Sequence, residues 1–172
     1  VQGRPLFAVY RASRLPDARR TAEAWRAEAR RLGLGELFLC RVESFSAERG
    51  DPRELGFDAA IEFQPDWPNL DRPLRRDKLR RLFWKLGLNR SAYQRHQVHS
   101  YAALAERALR KPPAPYTRFP CVTPMWDNSA RRASGAGIFV GSTPERYERW
   151  LREAIARFSP PAPDADLVFI NA

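Results

Sequence analysis

Lysine is almost missing from this chain, three residues against 27 arginines, although the formal net charge is +10. Cysteine, histidine and methionine are scarce too, at two, two and one. Cys40 and Cys121 both stand in apolar, strand-like runs, where a buried free thiol is the expected state. A metal site needs several clustered ligands, and the sequence gathers none, so no metal is expected. His96 and His99 share a helical face at a spacing of three, without a Cys or carboxylate beside them; helix packing or a surface position is expected for both. No run of about 18 apolar residues occurs, which excludes a membrane-spanning helix. The N-terminus, VQGRPLFAVY, lacks the basic head and long apolar stretch of a secretory signal. Neither GxGxxG nor GxxxxGK[ST] is present, which disfavours the nucleotide folds built on those phosphate loops. No cofactor is expected.

The arginine excess invites a nucleic-acid reading, but the arginines are spread through every expected helix rather than gathered in one stripe. GC-rich coding produces such a skew in any protein. The best basic patch, residues 75–87 (RRDKLRRLFWKLG), carries Leu79, Leu82, Phe83 and Leu86 at the spacing of a core-facing stripe, leaving its arginines as a solvated face. Nucleic acid is therefore a disfavoured partner.

What is there is enough for one domain with a real core: 172 residues, 44% hydrophobic and 12% aromatic. Residues 5–10 (PLFAVY) read as a strand buried on both faces. A helix opens at Asp17, with Ala18, Ala22, Trp25, Ala29 and Leu32 on one face and Gly33 as its stop. Residues 37–42 and 58–63 read as two more buried strands, and the strand–helix–strand opening implies a right-handed crossover in a parallel sheet. Residues 66–115 are too long for a simple connection, so they read as an elaborated helical loop layer, with helices at about 74–86 and 100–109. A fourth strand spans 119–123. The clearest helix then starts at Thr143 as N-cap and Pro144 in the first turn. After the linker SPPAPDAD, residues 167–171 read as a fifth strand.

The polar and aromatic groups sit where these strands end. Ligands on parallel α/β scaffolds bind at the carboxyl ends of the strands. Those positions hold Tyr10 and Arg11, Glu43, Glu62, the set Trp126, Asp127, Asn128 and Arg131, and Asn171. The segment 119–132, FPCVTPMWDNSARR, is the richest. Such a mixture suits carbohydrate: hydroxyls pair with carboxylate, amide and guanidinium groups, while sugar C–H faces stack on Trp and Tyr. Glu43 and Glu62 are candidates for an acid/base pair. The alternatives are an ordinary loop with an Asx turn at Asp127-Asn128, and carboxylates that merely neutralise nearby arginines.

The segments PLFAVYRASRLPDARRTAEAWR, ELFLCRVESF, GFDAAIEFQP, YTRFPCVTPMWDNSARR, TPERYERWL and LVFINA resemble, in order, the WbsX-type glycosyltransferases, a group related to glycoside hydrolase family 99. WDNSARR and GFDAAIEFQP are the most specific. The resemblance implies a (β/α)8 TIM-barrel type of α/β fold, of which residues 1–172 form the later part, with the first strands upstream of Val1. It implies that Trp126, Asp127, Asn128 and Arg131 line the sugar site. It also implies that LVFINA leads into a W-N-E-W-x-E-G type motif whose glutamates carry the chemistry. Those glutamates fall beyond Ala172, so no catalytic residue is assigned. The implied role is a glycosyltransferase-like step in bacterial cell-surface polysaccharide (lipopolysaccharide or O-antigen) synthesis, with a glycan or activated sugar as partner and a cytoplasmic location, any membrane association being through partners. The alternatives are an endo-mannosidase-like glycoside hydrolase and a non-enzymatic basic module binding glycan or nucleic acid.

Overall fold

The computed structural model describes residues 1–74, 86 and 95–172. The helix expected at 74–86 and the basic patch at 75–87 lie outside these, apart from Leu74 and Leu86.

The described residues form a mixed α/β structure in which every sheet pairing is parallel. Strands β1 (Leu6–Val9), β2 (Phe38–Val42), β3 (Ala59–Ile61) and β5 (Arg118–Phe119) lie side by side in chain order. Strand β6 (Cys121–Val122) pairs with β8 (Phe169–Ile170). The strand expected at 119–123 is thus divided at Pro120, which has no N–H to give a ladder. The chain nevertheless bonds on both sides there. Phe119 O accepts from Glu62 N at 2.9 Å, and Pro120 O accepts from Phe169 N at 2.9 Å. Five extended segments therefore follow one another across the molecule in the order of the sequence.

Helix α1 (Ala18–Arg31) starts at Asp17, whose carboxylate accepts from Arg20 N at 2.9 Å, and stops before Gly33 at φ +75°. Positive φ carries no Cβ penalty at glycine. Helix α2 (Tyr101–Arg110) is capped by Ser100, and α3 (Pro144–Arg157) by Thr143 with Pro144 in its first turn. Two strands were not anticipated: β4 (Gln97–Ser100) and β7 (Gly137–Val140), which pair with each other. Each is four residues long and flanked by polar or glycine-rich sequence, too short for a periodic signal. Strand β4 also corrects the helical placement of His96 and His99. His99 lies in the strand, buried and stacked on Phe139 at 5.2 Å between centroids.

The sheet buries both of its faces, each against different partners. Phe38, Cys40, Ala59, Ile61 and Phe119 pack with Phe158, Leu167 and Phe169 on one side. Leu39 and Val9 pack with Ala22 and Trp25 of α1 on the other. A third cluster joins β6 and β7 to α2 and α3 through Tyr101, Val122, Phe139 and Trp150. Tyr101 and Trp150, almost wholly buried, meet at 5.8 Å. Aromatic rings of this size are worth about 4–6 kcal/mol each in buried area, enough to lock the two helices onto the sheet. The expectation of a fully buried first strand does not hold. β1 is the edge of its sheet, and Phe7 is 46% exposed, with Trp25 set edge-on against it at 5.3 Å. Among the described residues, no helix is long and apolar enough to cross a membrane.

Candidate functional site

Side chains alternate between the two faces of a strand, and the register therefore sorts the strand-end residues. Val9 is opposite Arg41, Val42 opposite Ile61, and Ile61 opposite Phe119. Residues 38, 40 and 42, 59 and 61, and 119 share the face of the Phe38 core. One alternation beyond it, Tyr10 and Phe63 emerge on that same face. Glu43, Glu62 and Arg118 are one position out of phase, and emerge on the opposite face.

A cleft of about 790 Å³ opens on the first of these faces at the carboxyl ends of the strands. Tyr10, Arg11, Trp126, Asn128, Arg131 and Asn171 all line it, so six of the nine residues expected from sequence are brought together. Its floor is aromatic. Tyr10 packs against Phe63 at 5.5 Å and Phe45 at 6.2 Å, and Trp67 packs against Trp126 at 6.1 Å with the rings at 71°. The Arg11 guanidinium lies 4.4 Å from the centre of the Phe45 ring, a cation–π geometry.

The 126–128 segment is held by an antiparallel contact with β7. Phe139 N donates to Trp126 O at 2.9 Å, Asp127 bridges Ile138, and Gly137 N donates to the Asn128 side-chain oxygen at 2.9 Å. Gly137 is required by packing, since a Cβ there would lie 2.5 Å from the Trp67 indole. Asn171 anchors the other wall: its amide nitrogen donates to Gln64 O and its backbone N–H to Val122 O. Two side-chain donors beside this region, Trp126 Nε1 and Gln64 Nε2, are buried without a hydrogen-bond partner among the described residues, an arrangement folded proteins rarely leave.

The remaining three residues are placed elsewhere. Glu43, with its side chain 2% exposed, accepts from the Tyr116 hydroxyl at 2.7 Å and pairs with Lys111 at 3.7 Å and Arg118 at 3.9 Å. Glu62 meets Lys111 at 3.2 Å and Arg118 at 3.3 Å, and Asp66 joins through Lys111 at 3.4 Å and through Arg49. Three carboxylates thus face three cations. Burial, with the bond to Glu43 second, raises the Tyr116 hydroxyl above its usual pKa. Glu62, Lys111, Tyr116 and Arg118 line a separate cleft of about 480 Å³, and neither Glu43 nor Glu62 lines the aromatic one. Asp127 is spent locally. Its carboxylate accepts from Ser129 N at 2.8 Å, and its bonds to Ser129 hold its pKa below the usual carboxylate value.

Sequence reading missed Phe45, Trp67, Gln97 and Arg132 as wall residues. Arg132 was visible in the SARR run. Trp67 carries no local signal, because its place is set by the glycine opposite it on β7. Among the described residues, no three His, Cys, Asp or Glu side chains gather where they could hold a metal ion. Cys40 and Cys121 are free and buried, and burial pushes both thiols up to about 12, which leaves them inert as nucleophiles near neutral pH.

Comparison with known proteins brings in the last observation. The chain is 38% identical over 173 residues to the "Uncharacterized protein WxcX" of Xanthomonas campestris pv. campestris strain B100, and equally to that of strain ATCC 33913. The match covers 100% of this chain and 23% of each relative, so the chain spans about a quarter of the length of those proteins. No solved structure matches it significantly. The profile of the family described as "Glycosyltransferase WbsX" matches residues 1–172. The chain belongs to the WbsX glycosyltransferase family.

Proposed function

We propose that this chain is the glycan-binding part of a carbohydrate-active enzyme, glycosyltransferase-like, that acts in the synthesis of a bacterial cell-surface polysaccharide. The observation that carries the reading is the cleft at the strand ends. Flat aromatic faces of Tyr10, Trp67 and Trp126 stand beside the amides of Asn128 and Asn171 and the guanidinium of Arg131. Such a combination takes up both surfaces of a sugar, the C–H face by stacking and the hydroxyls by hydrogen bonds. The Trp126 indole N–H, buried without a partner among the described residues, is a donor that a sugar hydroxyl would satisfy.

The parallel segments in unbroken chain order also support the finer fold, an arc of a (β/α)8 barrel. In such barrels the active site is at the carboxyl face, the end at which this cleft opens. Residues 1–172 serve as one domain in this reading, with 66–115 as the layer that contributes Trp67 and Gln97 to the wall. In this reading Glu43 and Glu62 serve the charge network, and no residue of 1–172 is assigned the transfer of the sugar.

Hydrolysis of a glycan is the second reading, because transfer and hydrolysis pass through similar oxocarbenium-like centres. The test is to offer the intact protein activated sugar donors with acceptors, and separately mannosides. Transfer without hydrolysis is the expected result; turnover of neither substrate class would sink the proposal. Binding should depend on the floor, so Trp126→Ala should weaken sugar affinity, and unchanged affinity would remove the cleft from consideration.

A further inference from the structure

We propose that the sugar taken up in the aromatic cleft carries an anionic group, a phosphate or a carboxylate, which Arg11, Arg131 and Arg132 receive. The inference rests on the glycan reading above and names the kind of glycan.

Three arginines line this cleft and, among the described residues, no side-chain carboxylate does. The contrast with the rest of the molecule gives that imbalance its meaning. Elsewhere twelve of the nineteen described arginines pair with a described carboxylate, among them Arg26 with Asp58, Arg53 with Asp51, Arg118 with Glu62, Arg149 with Glu153 and Arg152 with Glu148, and the other seven do not line the cleft. Among the described residues no carboxylate comes within ion-pair distance of Arg11, Arg131 or Arg132. The carboxylate nearest in sequence, Asp127, is held instead by Ser129. Residues 75–94, most of which fall outside the described set, contain one carboxylate, Asp77, against seven Lys and Arg. By composition that segment can supply one opposing charge at most.

The three cations are also positioned rather than scattered. Arg11 is stacked on Phe45 at 4.4 Å, which fixes the guanidinium plane while leaving its N–H groups unused. Arg131 ends the turn that follows Asn128, with its backbone N–H bonded to Asn128 O at 3.1 Å, so it shares a rigid segment with Trp126. Like charges converging on one concave surface repel one another unless a ligand of opposite sign completes the site. Guanidinium is the group best shaped to take two oxygens of a phosphate or carboxylate together. At about 790 Å³ the cleft has room for a sugar and its charged substituent at once.

Two sources supply that chemistry: the phosphate of an activated sugar, or the carboxylate of an acidic sugar in an acceptor glycan. Calorimetric titration of the intact protein separates them, using mannose, glucose and galactose as free sugars, their 1-phosphates and their uronates, with inorganic phosphate alone. An anionic form of at least one sugar should bind about tenfold or more tightly than its neutral form, the yield of one charge-assisted hydrogen bond. Preference for the 1-phosphates identifies a donor-side site, and preference for the uronates an acceptor-side one. The double variant R131Q/R132Q should weaken the anionic form far more than the neutral one, so that the preference is lost, and should melt like the parent, since both side chains are exposed. Arg11→Gln, made separately, should reduce the preference too.

Equal affinity for neutral and anionic forms, or a preference that survives both sets of substitutions, overturns the inference while leaving the glycan reading in place. If inorganic phosphate binds as tightly as the sugar phosphates, or no sugar of any charge binds, the glycan reading itself falls and the inference with it.

Discussion

Two groups of polar side chains stand near the carboxyl ends of the strands, and they have opposite characters. On one face Glu43, Glu62 and Asp66 meet Lys111, Arg118 and Arg49, with Tyr116 closing the set, and charge balances charge. In the aromatic cleft Arg11, Arg131 and Arg132 stand beside aromatic rings, with no side-chain acid among the described lining residues. A network whose charges are largely spent on one another rigidifies the place where it sits, although Arg49 Nε has no hydrogen-bond partner among the described residues. A cleft with donors and cations to spare is incomplete until something fills it.

The comparison can be broken from either side. The largest effect is expected in the balanced network. Glu43→Ala removes the acceptor of the Tyr116 hydroxyl and leaves Lys111 and Arg118 to Glu62 and Asp66 alone, and should cost about 3 kcal/mol in denaturant unfolding, with sugar affinity of the folded protein unchanged. A loss of affinity with stability intact would move Glu43 into the binding machinery. Next comes Gly137→Ala. The new methyl would meet the Trp67 ring at 2.5 Å, and displacing that ring should cost about 2 kcal/mol as overpacking does while lowering sugar affinity. Retained affinity would show that Trp67 is not needed in the floor.

A smaller effect is expected from His99, behind the cleft on β4. Burial lowers its pKa below the ordinary histidine value, offset only in part by Asp71. The folded form therefore binds its proton less readily than the unfolded form. Its stabilising contribution is complete above the unfolded value, near 6.5, and is lost as pH falls toward the lower folded value. Thermal melts should drop over that acid window, and His99→Phe, which keeps the stack on Phe139, should flatten the profile; an unchanged slope would assign the acid loss to other groups. The smallest effect is at Asp127. Asparagine also accepts from Ser129 N, so Asp127→Asn should change stability by less than about 0.5 kcal/mol and leave the affinity for neutral sugar unaltered. A clear fall in affinity would return Asp127 to the sugar wall.

How far the sequence could be read follows from the range of each signal. Helices α1 and α3 were legible because caps and apolar spacing act within one segment: Asp17 and Gly33 bound the first, Thr143 and Pro144 open the second. Strands β1, β2, β3 and β8 were legible as apolar runs between turns. Strands β4 and β7 were not, since four residues carry little pattern and their stability lies in each other. Along the site, Trp126, Asn128 and Arg131 could be found because one short segment holds them all. Trp67 could not, as its position depends on a glycine seventy residues away.

The amino-acid sequence by itself settled that this is a parallel α/β chain with polar and aromatic residues at its strand ends, and the family follows from sequence as well, because composition, caps and motifs are local properties. Which face each strand-end residue occupies was decided only by the tertiary structure. A shift of one position along a strand turns a side chain to the opposite side, and only the register of β1, β2, β3 and β5 fixes that count. That geometric fact turned Glu43 and Glu62, which looked catalytic, toward Lys111 and Arg118 and away from Tyr10, while the turn after Asn128 brought Arg131 and Arg132 to the cleft.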